Sequence, residues 1–207
     1  MAKNYPTWWK TACLELSEND KIMSRLIEVF NDKRLNTSKN PFFSLAKSIV
    51  GQQISVQAAD AIWKRLEERY NIYNENCFVK AEIKDLREIG LSQRKSSYLI
   101  NLSVKLKNKN NFSFWNKLND EEIYDKLILF KGIGPWSIKM FLIFCLNRPD
   151  VFSKEDIGLV KAIGKNYYNG DRPSIEEVEE LSLCWRPWRT VASWFLWRSI
   201  DPNVVSY

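Results

Sequence analysis

The fold of this protein is decided by the stretch Leu129–Leu159, LFKGIGPWSIKMFLIFCLNRPDVFSKEDIGL, which places a Gly-Ile-Gly turn between two apolar helical patterns. Gly132 and Gly134 allow a sharp turn and a close approach of the backbone to a partner, because no Cβ stands in the way. Pro135 suits the first position of a helix, where its missing N–H costs nothing. Amides at such a helix start bind phosphate. The stretch therefore predicts a helical hairpin that holds a phosphate group.

Composition and charge narrow the classes of function. Hydrophobic residues make up 45% of the 207 residues, enough for the core of one domain or of two lobes. Lys plus Arg (31) exceed Asp plus Glu (25), and the net charge of +6 suits a polyanionic partner. The chain has no histidine, which excludes histidine acid–base catalysis, histidine metal ligands and Cys–His nucleophiles.

The cysteines and the apolar stretches bear on the cellular environment. Cys13, Cys77, Cys145 and Cys184 are far apart, so we predict free thiols and no iron–sulfur cluster. The N-terminus lacks the basic start and apolar run of a signal peptide, and the most hydrophobic stretch is too short to cross a bilayer. We therefore expect an intracellular protein that does not associate with membranes.

The apolar periodicity is helical along the chain, and no convincing run of alternating strand residues occurs. Asn119 with Glu122, and Ser174 with Glu177, predict the capped starts of two helices. In another segment leucines recur at i, i+3 and i+7 on one helical face: Leu99, Leu102 and Leu106. The predicted fold class is all-α.

Four segments, in order along roughly residues 40–200, together resemble one family. They are the run from Phe42 to Ser55 containing GQQIS, FKGIGPWSI from Phe130, FSKEDIGL from Phe152, and WRPWRTVA from Trp185, followed by Trp197. They are similar to the Q-Q-x-S, L-P-G-I-G-P-W-T-A, F-P-x-x-D-x-G-L and W-x-P-W-R-S-x-A…W motifs of the helix-hairpin-helix (HhH-GPD) DNA glycosylases, in the alkyladenine (3-methyladenine glycosylase II) branch.

This resemblance implies a single glycosylase unit over residues 1–207, made of two helical lobes with the DNA and base cleft between them. Lobe one would span about residues 40–130, and lobe two about residues 1–39 plus 131–207, with the hairpin at about 120–146. The additional N-terminal β domain of some relatives is not expected, because only about 40 residues precede the match.

The resemblance places the catalytic carboxylate at Asp156. Excision of a base passes through a cationic, oxocarbenium-like sugar, which a nearby carboxylate stabilises. The spacing Ser153-x-x-Asp156 also predicts a capping box with Asp156 in the first helical turn, and the two interpretations are compatible. Relatives that also cut the strand carry at the position of Trp136 a lysine that forms a Schiff base. Trp136 therefore predicts a monofunctional enzyme.

The flipped base is expected between aromatic faces, which also attract a cationic alkylated purine. By motif position, Trp136 and Trp197 line this pocket, and Met140 and Ile157 stand where some relatives have tyrosines. Three other tryptophans are interpreted as packing between the C-terminal helix and the hairpin. They are Trp185, Trp188 and Trp194.

Further residues are expected to contact the DNA. Gln53 occupies the wedge position that fills the gap left by the base, whereas Gln52 is interpreted as structural. Arg94 and Lys95 would form a second backbone contact. The hairpin would hold the DNA backbone through Lys131, Gly132, Ile133, Gly134 and Lys139. In the family a sodium or potassium ion often binds hairpin carbonyls, here those of Ile128, Phe130 and Ile133.

The resemblance thus implies a DNA repair enzyme that hydrolyses the N-glycosidic bond of 3-methyladenine or 7-methylguanine in duplex DNA and needs no cofactor. We expect a monomer, cytoplasmic and nucleoid-associated if bacterial, nuclear if eukaryotic. Two alternatives stay open: a glycosylase for oxidised guanine, hypoxanthine or uracil, and a non-catalytic protein that binds damaged DNA.

Overall fold

The computed structural model describes residues 6–32, 34–107 and 109–201, and within these ranges it is helical without strands, which confirms the all-α prediction. Twelve helices are formed in these ranges: α1 (Trp9–Asn19), α2 (Lys21–Val29), α3 (Pro41–Gly51), α4 (Val56–Arg69), α5 (Ile83–Glu88), α6 (Gln93–Leu106), α7 (Phe112–Lys117), α8 (Asp120–Leu127), α9 (Pro135–Phe144), α10 (Ile157–Tyr167), α11 (Ile175–Leu183) and α12 (Arg189–Ile200). None of the helices in the described ranges is long and apolar enough to cross a membrane.

The chain divides into two compact units. Unit 1 combines the described residues of Met1–Thr37 and Asn147–Ser206, and unit 2 is Ser38–Leu146. Residues 1–5 and 202–207, which the predicted lobe two includes, lie outside the described residues. Residues 131–146 belong to unit 2 and not to the lobe predicted for them, because α9 packs on α3 and α8.

In unit 1, helix α12 packs against α1, α2 and α10. Aromatic rings fill much of this core, and the three tryptophans predicted to pack between the C-terminal helix and the hairpin contact rings of unit 1. Trp194 meets Trp9 edge to face at 5.2 Å, and Trp188 stacks on Trp8 at 5.9 Å, so both pack on the N-terminal part of the chain. Trp185, which is fully buried, lies 5.7 Å from the ring of Tyr167 on α10.

In unit 2, helix α3 is the central element and packs against α4, α6 and α9. Eight of its eleven residues are buried, as expected for a helix surrounded by others. The predicted starts of α8 and α11 are confirmed as capping boxes, Asn119 with Glu122 and Ser174 with Glu177. The predicted leucine stripe is buried on α6: Leu99, Leu102 and Leu106.

Candidate active site

Asp156 lies at the start of α10 as the N-cap residue, in unit 1. Its backbone is extended (φ −75°, ψ 112°), and its Oδ1 accepts the Leu159 backbone N–H at 2.6 Å. The predicted capping box with Ser153 as the cap is wrong, because the helix begins three residues later than that pattern requires. Ser153 instead donates its hydroxyl to Glu155 Oε2 at 3.3 Å, and its carbonyl accepts the Asp156 N–H at 3.1 Å.

A tryptophan from another helix holds the same carboxylate oxygen. The indole Nε1–H of Trp197, on α12, donates to Asp156 Oδ1 at 3.0 Å. A Cβ added at Gly158 would lie 3.2 Å from Asp156 Oδ1 and 3.8 Å from Trp197 Cδ1, so glycine leaves room for this contact. Two donors and a helix N-terminus stabilise a negative charge at this position. The carboxylate is therefore oriented and half-buried.

Helix α12 also fixes the chain segment that leads to Asp156. Arg189 forms a bidentate ion pair with Asp150, with Nε–Oδ1 at 2.6 Å and Nη2–Oδ2 at 2.9 Å. Thr190 donates its hydroxyl to the Arg148 carbonyl at 2.7 Å and accepts the Val151 N–H at 3.0 Å. The positions of Arg189 and Thr190 at the first turn of α12 hold residues 148–151 in place. The sequence favours an internal ion pair for Arg189, which is confirmed, but it does not identify the partners, because nothing local pairs residues about 40 positions apart.

The residues predicted to form the base pocket differ in exposure. Trp197 and Ile157 flank Asp156 in unit 1, and Ile157 is 81% exposed. Trp136, on α9 of unit 2, is half-buried. Met140 on the same helix is only 1% exposed, so it offers no surface to a base, in contrast to the prediction.

The hairpin turn between α8 and α9 uses its two glycines differently. Gly132 has a φ of +86°, and a Cβ there would overlap the ring of Tyr98, so both conformation and packing require glycine. Gly134 is the N-cap of α9, with extended backbone, and a Cβ there would meet no atom within 4 Å. Among the described residues, no contact requires this second glycine. The start of α9 is therefore open enough for a ligand to approach its backbone.

The two glutamines after α3 have separate environments. Gln52 donates its Nε2 to the Gly132 carbonyl at 2.8 Å and to Ser137 Oγ at 3.0 Å, which confirms that it is structural. Gln53 is exposed and has a φ of +57°. Through the hydrogen bonds of Gln52, the α3–α4 turn that carries Gln53 is joined to the hairpin.

The two basic residues predicted as a second DNA contact are also placed differently. Arg94 is exposed, and its Nη2 donates to the Tyr98 hydroxyl at 3.2 Å. Lys95 instead donates to the carbonyls of Val50 and Gln52, both at 2.7 Å, so its ammonium is directed into the protein. The predicted backbone contact by Lys95 is therefore wrong. On the hairpin itself, Lys131 is exposed and Lys139 is half-buried.

The hairpin carbonyls fit the ligand chemistry of a monovalent cation. The Phe130 carbonyl accepts the Ile133 N–H at 3.0 Å. Among the residues that the structure describes, no donor reaches the carbonyl oxygens of Ile128 and Ile133. Carbonyl oxygens are ligands for hard cations. Elsewhere in the described ranges, no group of three or more His, Cys, Asp or Glu residues is arranged to hold a metal ion.

Comparison with known proteins is consistent with this geometry. The family model of the HhH-GPD superfamily base excision DNA repair protein matches residues 46–189. A DNA-3-methyladenine glycosylase of Saccharomyces cerevisiae is 34% identical, over 81% of this chain and 69% of its own length. A putative DNA-3-methyladenine glycosylase of Bacillus subtilis is 32% identical, over 76% of this chain, which spans 58% of that relative.

A solved structure matches the fold over almost the whole of both chains. It is the Schizosaccharomyces pombe 3-methyladenine DNA glycosylase in complex with abasic DNA, with a TM-score of 0.83 and 27% identity, covering 95% of this chain and 98% of that one. The resemblance in the glycine hairpin and the FSKEDIGL segment is thus confirmed. This chain belongs to the HhH-GPD superfamily of base excision DNA repair proteins, in the 3-methyladenine glycosylase branch.

Proposed function

We propose that the protein is a monofunctional DNA glycosylase that hydrolyses the N-glycosidic bond of alkylated purines, 3-methyladenine and 7-methylguanine, flipped from duplex DNA. The product is an abasic site. The relatives named DNA-3-methyladenine glycosylase support this substrate class, as does the relative bound to abasic DNA.

One observation carries the proposal: the carboxylate of Asp156 is held at the start of α10 by the Leu159 N–H and the Trp197 indole. Its charge stabilises the cationic sugar that forms as the bond to the base breaks. The same carboxylate orients the attacking water, or accepts its proton as the water adds to the sugar. Trp197 lies beside the carboxylate, where its ring is suited to contact a cationic base.

The remaining roles belong to unit 2. The start of α9, open at Gly134, receives a phosphate of the damaged strand, with Lys131 and Lys139 contributing positive charge. By its motif position Trp136 contacts the flipped base, and its indole provides no amine for a Schiff base, so the strand is left uncut. Gln53, exposed at the turn after α3, fills the space that the flipped base leaves in the duplex.

The reaction needs no cofactor. A sodium or potassium ion at the hairpin would be held by the carbonyls of Ile128, Phe130 and Ile133 and would help to neutralise a phosphate. The protein acts as a monomer on duplex DNA that contains damaged bases. It works where the genome is, on the nucleoid in the cytoplasm of a bacterium or in the nucleus of a eukaryote.

The test is base release from methylated duplex DNA, with the released bases identified by mass. We expect 3-methyladenine or 7-methylguanine, and strand breaks only after alkali. Borohydride should trap no covalent complex. A trapped complex would contradict the monofunctional assignment. No release, despite tight binding to a duplex with a tetrahydrofuran abasic-site analogue, would contradict the glycosylase assignment for these lesions.

A further inference from the structure

Lys95 makes an unusual pair of contacts in unit 2. From the first turn of α6 its Nζ donates to the carbonyls of Val50 and Gln52, at 2.7 Å each. Both carbonyls belong to the C-terminal end of α3, where the last carbonyl groups have no partner within the helix. A lysine ammonium there satisfies these acceptors and opposes the negative end of the helix dipole.

These contacts lie directly before Gln53, the exposed residue at the turn. Gln53 has a φ of +57°, a left-handed conformation that a non-glycine residue adopts only when the structure around it enforces it. On one side of Gln53 the main chain is held by Lys95. The side chain of Gln52 is held by the hairpin, through the Gly132 carbonyl and Ser137 Oγ. The direction of Gln53 therefore depends on contacts from α6 and from the hairpin.

The ammonium of Lys95 is held inside the protein by these two hydrogen bonds. Burial lowers the pKa of Lys95 by removing water from the charged form. Its neighbour Arg94 is exposed at the surface of the same helical turn. The two adjacent basic residues thus form a matched pair, one directed into the protein and one directed outward.

We propose that Lys95 is a positioning residue for base flipping: it clamps the end of α3 so that Gln53 is presented to the duplex in its left-handed conformation. It acts through Gln53 and makes no phosphate contact. This inference rests on the proposed function, since only a protein that flips a base uses a wedge.

The first test separates positioning from phosphate binding by comparing Lys95→Met with Arg94→Gln. DNA affinity is measured as a function of salt on a duplex with a tetrahydrofuran abasic-site analogue, and 2-aminopurine beside the analogue reports unstacking. Loss of a phosphate contact lowers the slope of log K against log salt by about one, the result expected for Arg94→Gln. For Lys95→Met we expect an unchanged slope and a weaker 2-aminopurine signal.

The second test is a double-mutant cycle with Gln53→Ala, measured as the single-turnover rate of base release. A misdirected wedge is expected to lower this rate about tenfold in Lys95→Met, and Gln53→Ala to lower it by a similar factor. If Lys95 acts through Gln53, the double variant is no slower than about twofold below either single variant. A merely structural role would not depend on Gln53, and the two losses would multiply.

Thermal melting of each variant sets an assay temperature at which it is folded. If Lys95→Met does not fold, Lys95→Gln enters the same cycle under the same criteria. A salt slope that falls as in Arg94→Gln, or losses that multiply in the cycle, would overturn the inference while leaving the proposed function intact. A wild-type protein that neither releases bases nor unstacks 2-aminopurine refutes the proposed function, and this inference with it.

Discussion

Two aspartates in unit 1, Asp20 and Asp156, begin from the same local chemistry. Each is the N-cap of a helix: Asp20 accepts the N–H groups of Ile22 and Met23 at 2.8 and 3.0 Å, and Asp156 accepts that of Leu159 at 2.6 Å. Each also accepts an indole N–H at 3.0 Å, from Trp185 and from Trp197 respectively. By local pattern alone, the two sites are near copies of each other.

The surroundings separate the two carboxylates. Asp20 also accepts the hydroxyl of Tyr167 at 2.6 Å, and its Trp185 is fully buried. Asp156 accepts from the half-buried Trp197 and is followed in the chain by Ile157, which is 81% exposed. Both carboxylates are half-buried, but Asp20 uses both of its oxygens to join α2, α10 and the segment before α12, whereas Asp156 lies at a helix start next to the exposed Ile157. The tertiary partners of these two N-cap aspartates therefore differ, although their local patterns are the same.

The largest difference is expected from Asp→Asn at each position. Asparagine caps a helix about as well as aspartate, so Asp156→Asn should keep its stability within about 0.5 kcal/mol. Removal of the charge that stabilises the sugar cation should lower the single-turnover rate of base release by about 100-fold or more. Affinity for abasic-analogue DNA should be equal or higher, because an anion near phosphates is lost. Equal losses of rate and affinity would instead indicate a structural role.

Asp20→Asn is the matched opposite. An amide nitrogen cannot accept from Tyr167 or Trp185, so one buried donor loses its partner and the free energy of unfolding should fall by about 2 kcal/mol. The excision rate of the folded variant should stay within about threefold of wild type, because Asp20 does not stabilise the sugar cation. Urea denaturation and single-turnover kinetics measure the two quantities. A large loss of rate with unchanged stability would contradict the structural role of Asp20.

Phenylalanine in place of each of the two indole donors should give the same contrast between excision rate and free energy of unfolding, with smaller effects. Trp185→Phe removes a buried donor and leaves a cavity, which should lower the free energy of unfolding by about 2 kcal/mol with little effect on rate. Trp197→Phe removes the N–H that orients Asp156 and should lower the rate about tenfold. Urea denaturation and single-turnover kinetics measure the two effects. Similar effects of both substitutions would show that the two tryptophans have one common role.

The smallest effect concerns alkaline pH. Burial and the hydrogen bond to Asp20 raise the pKa of Tyr167. In the unfolded chain this phenol ionises near its ordinary pKa of about 10, whereas in the folded protein it stays protonated. The stability that Tyr167 contributes is therefore complete below pH ~10 and is lost as pH rises above that value. Tyr167→Phe should cost about 1 kcal/mol near neutral pH, a difference from wild type that shrinks above pH ~10. A difference that grows there would contradict this account.

Much of the fold was predictable because its signals are local. The capping boxes at Asn119 and Ser174 and the leucine stripe on α6 each lie within one or two helical turns. The glycine hairpin and the FSKEDIGL segment likewise carry enough local information to indicate the family. One local pattern predicted the wrong helix start: Ser153-x-x-Asp156 matches a capping box, but the chain does not form it, and Asp156 is itself the N-cap.

The contacts that organise the candidate site were beyond any local pattern. The Gln52 side chain meets the hairpin 80 positions along the chain, Trp185 meets Asp20 across 165, and Lys95 turns inward although Arg94 beside it is exposed. Likewise, Met140 lies on the buried side of α9, although its motif position indicates a pocket wall. Side-chain direction at these positions depends on which helices meet, and a sequence window does not contain that information.

By itself, the sequence determined the all-helical class and the hairpin, because helix periodicity and glycine freedom act between near neighbours. The candidate carboxylate came from the resemblance of its motif to the family. The tertiary structure alone decided which partners each of two similar aspartates has, which of two adjacent basic residues faces inward, and how the turn bearing Gln53 is held. These outcomes depend on burial and on hydrogen bonds between distant segments, which exist only once the helices have packed.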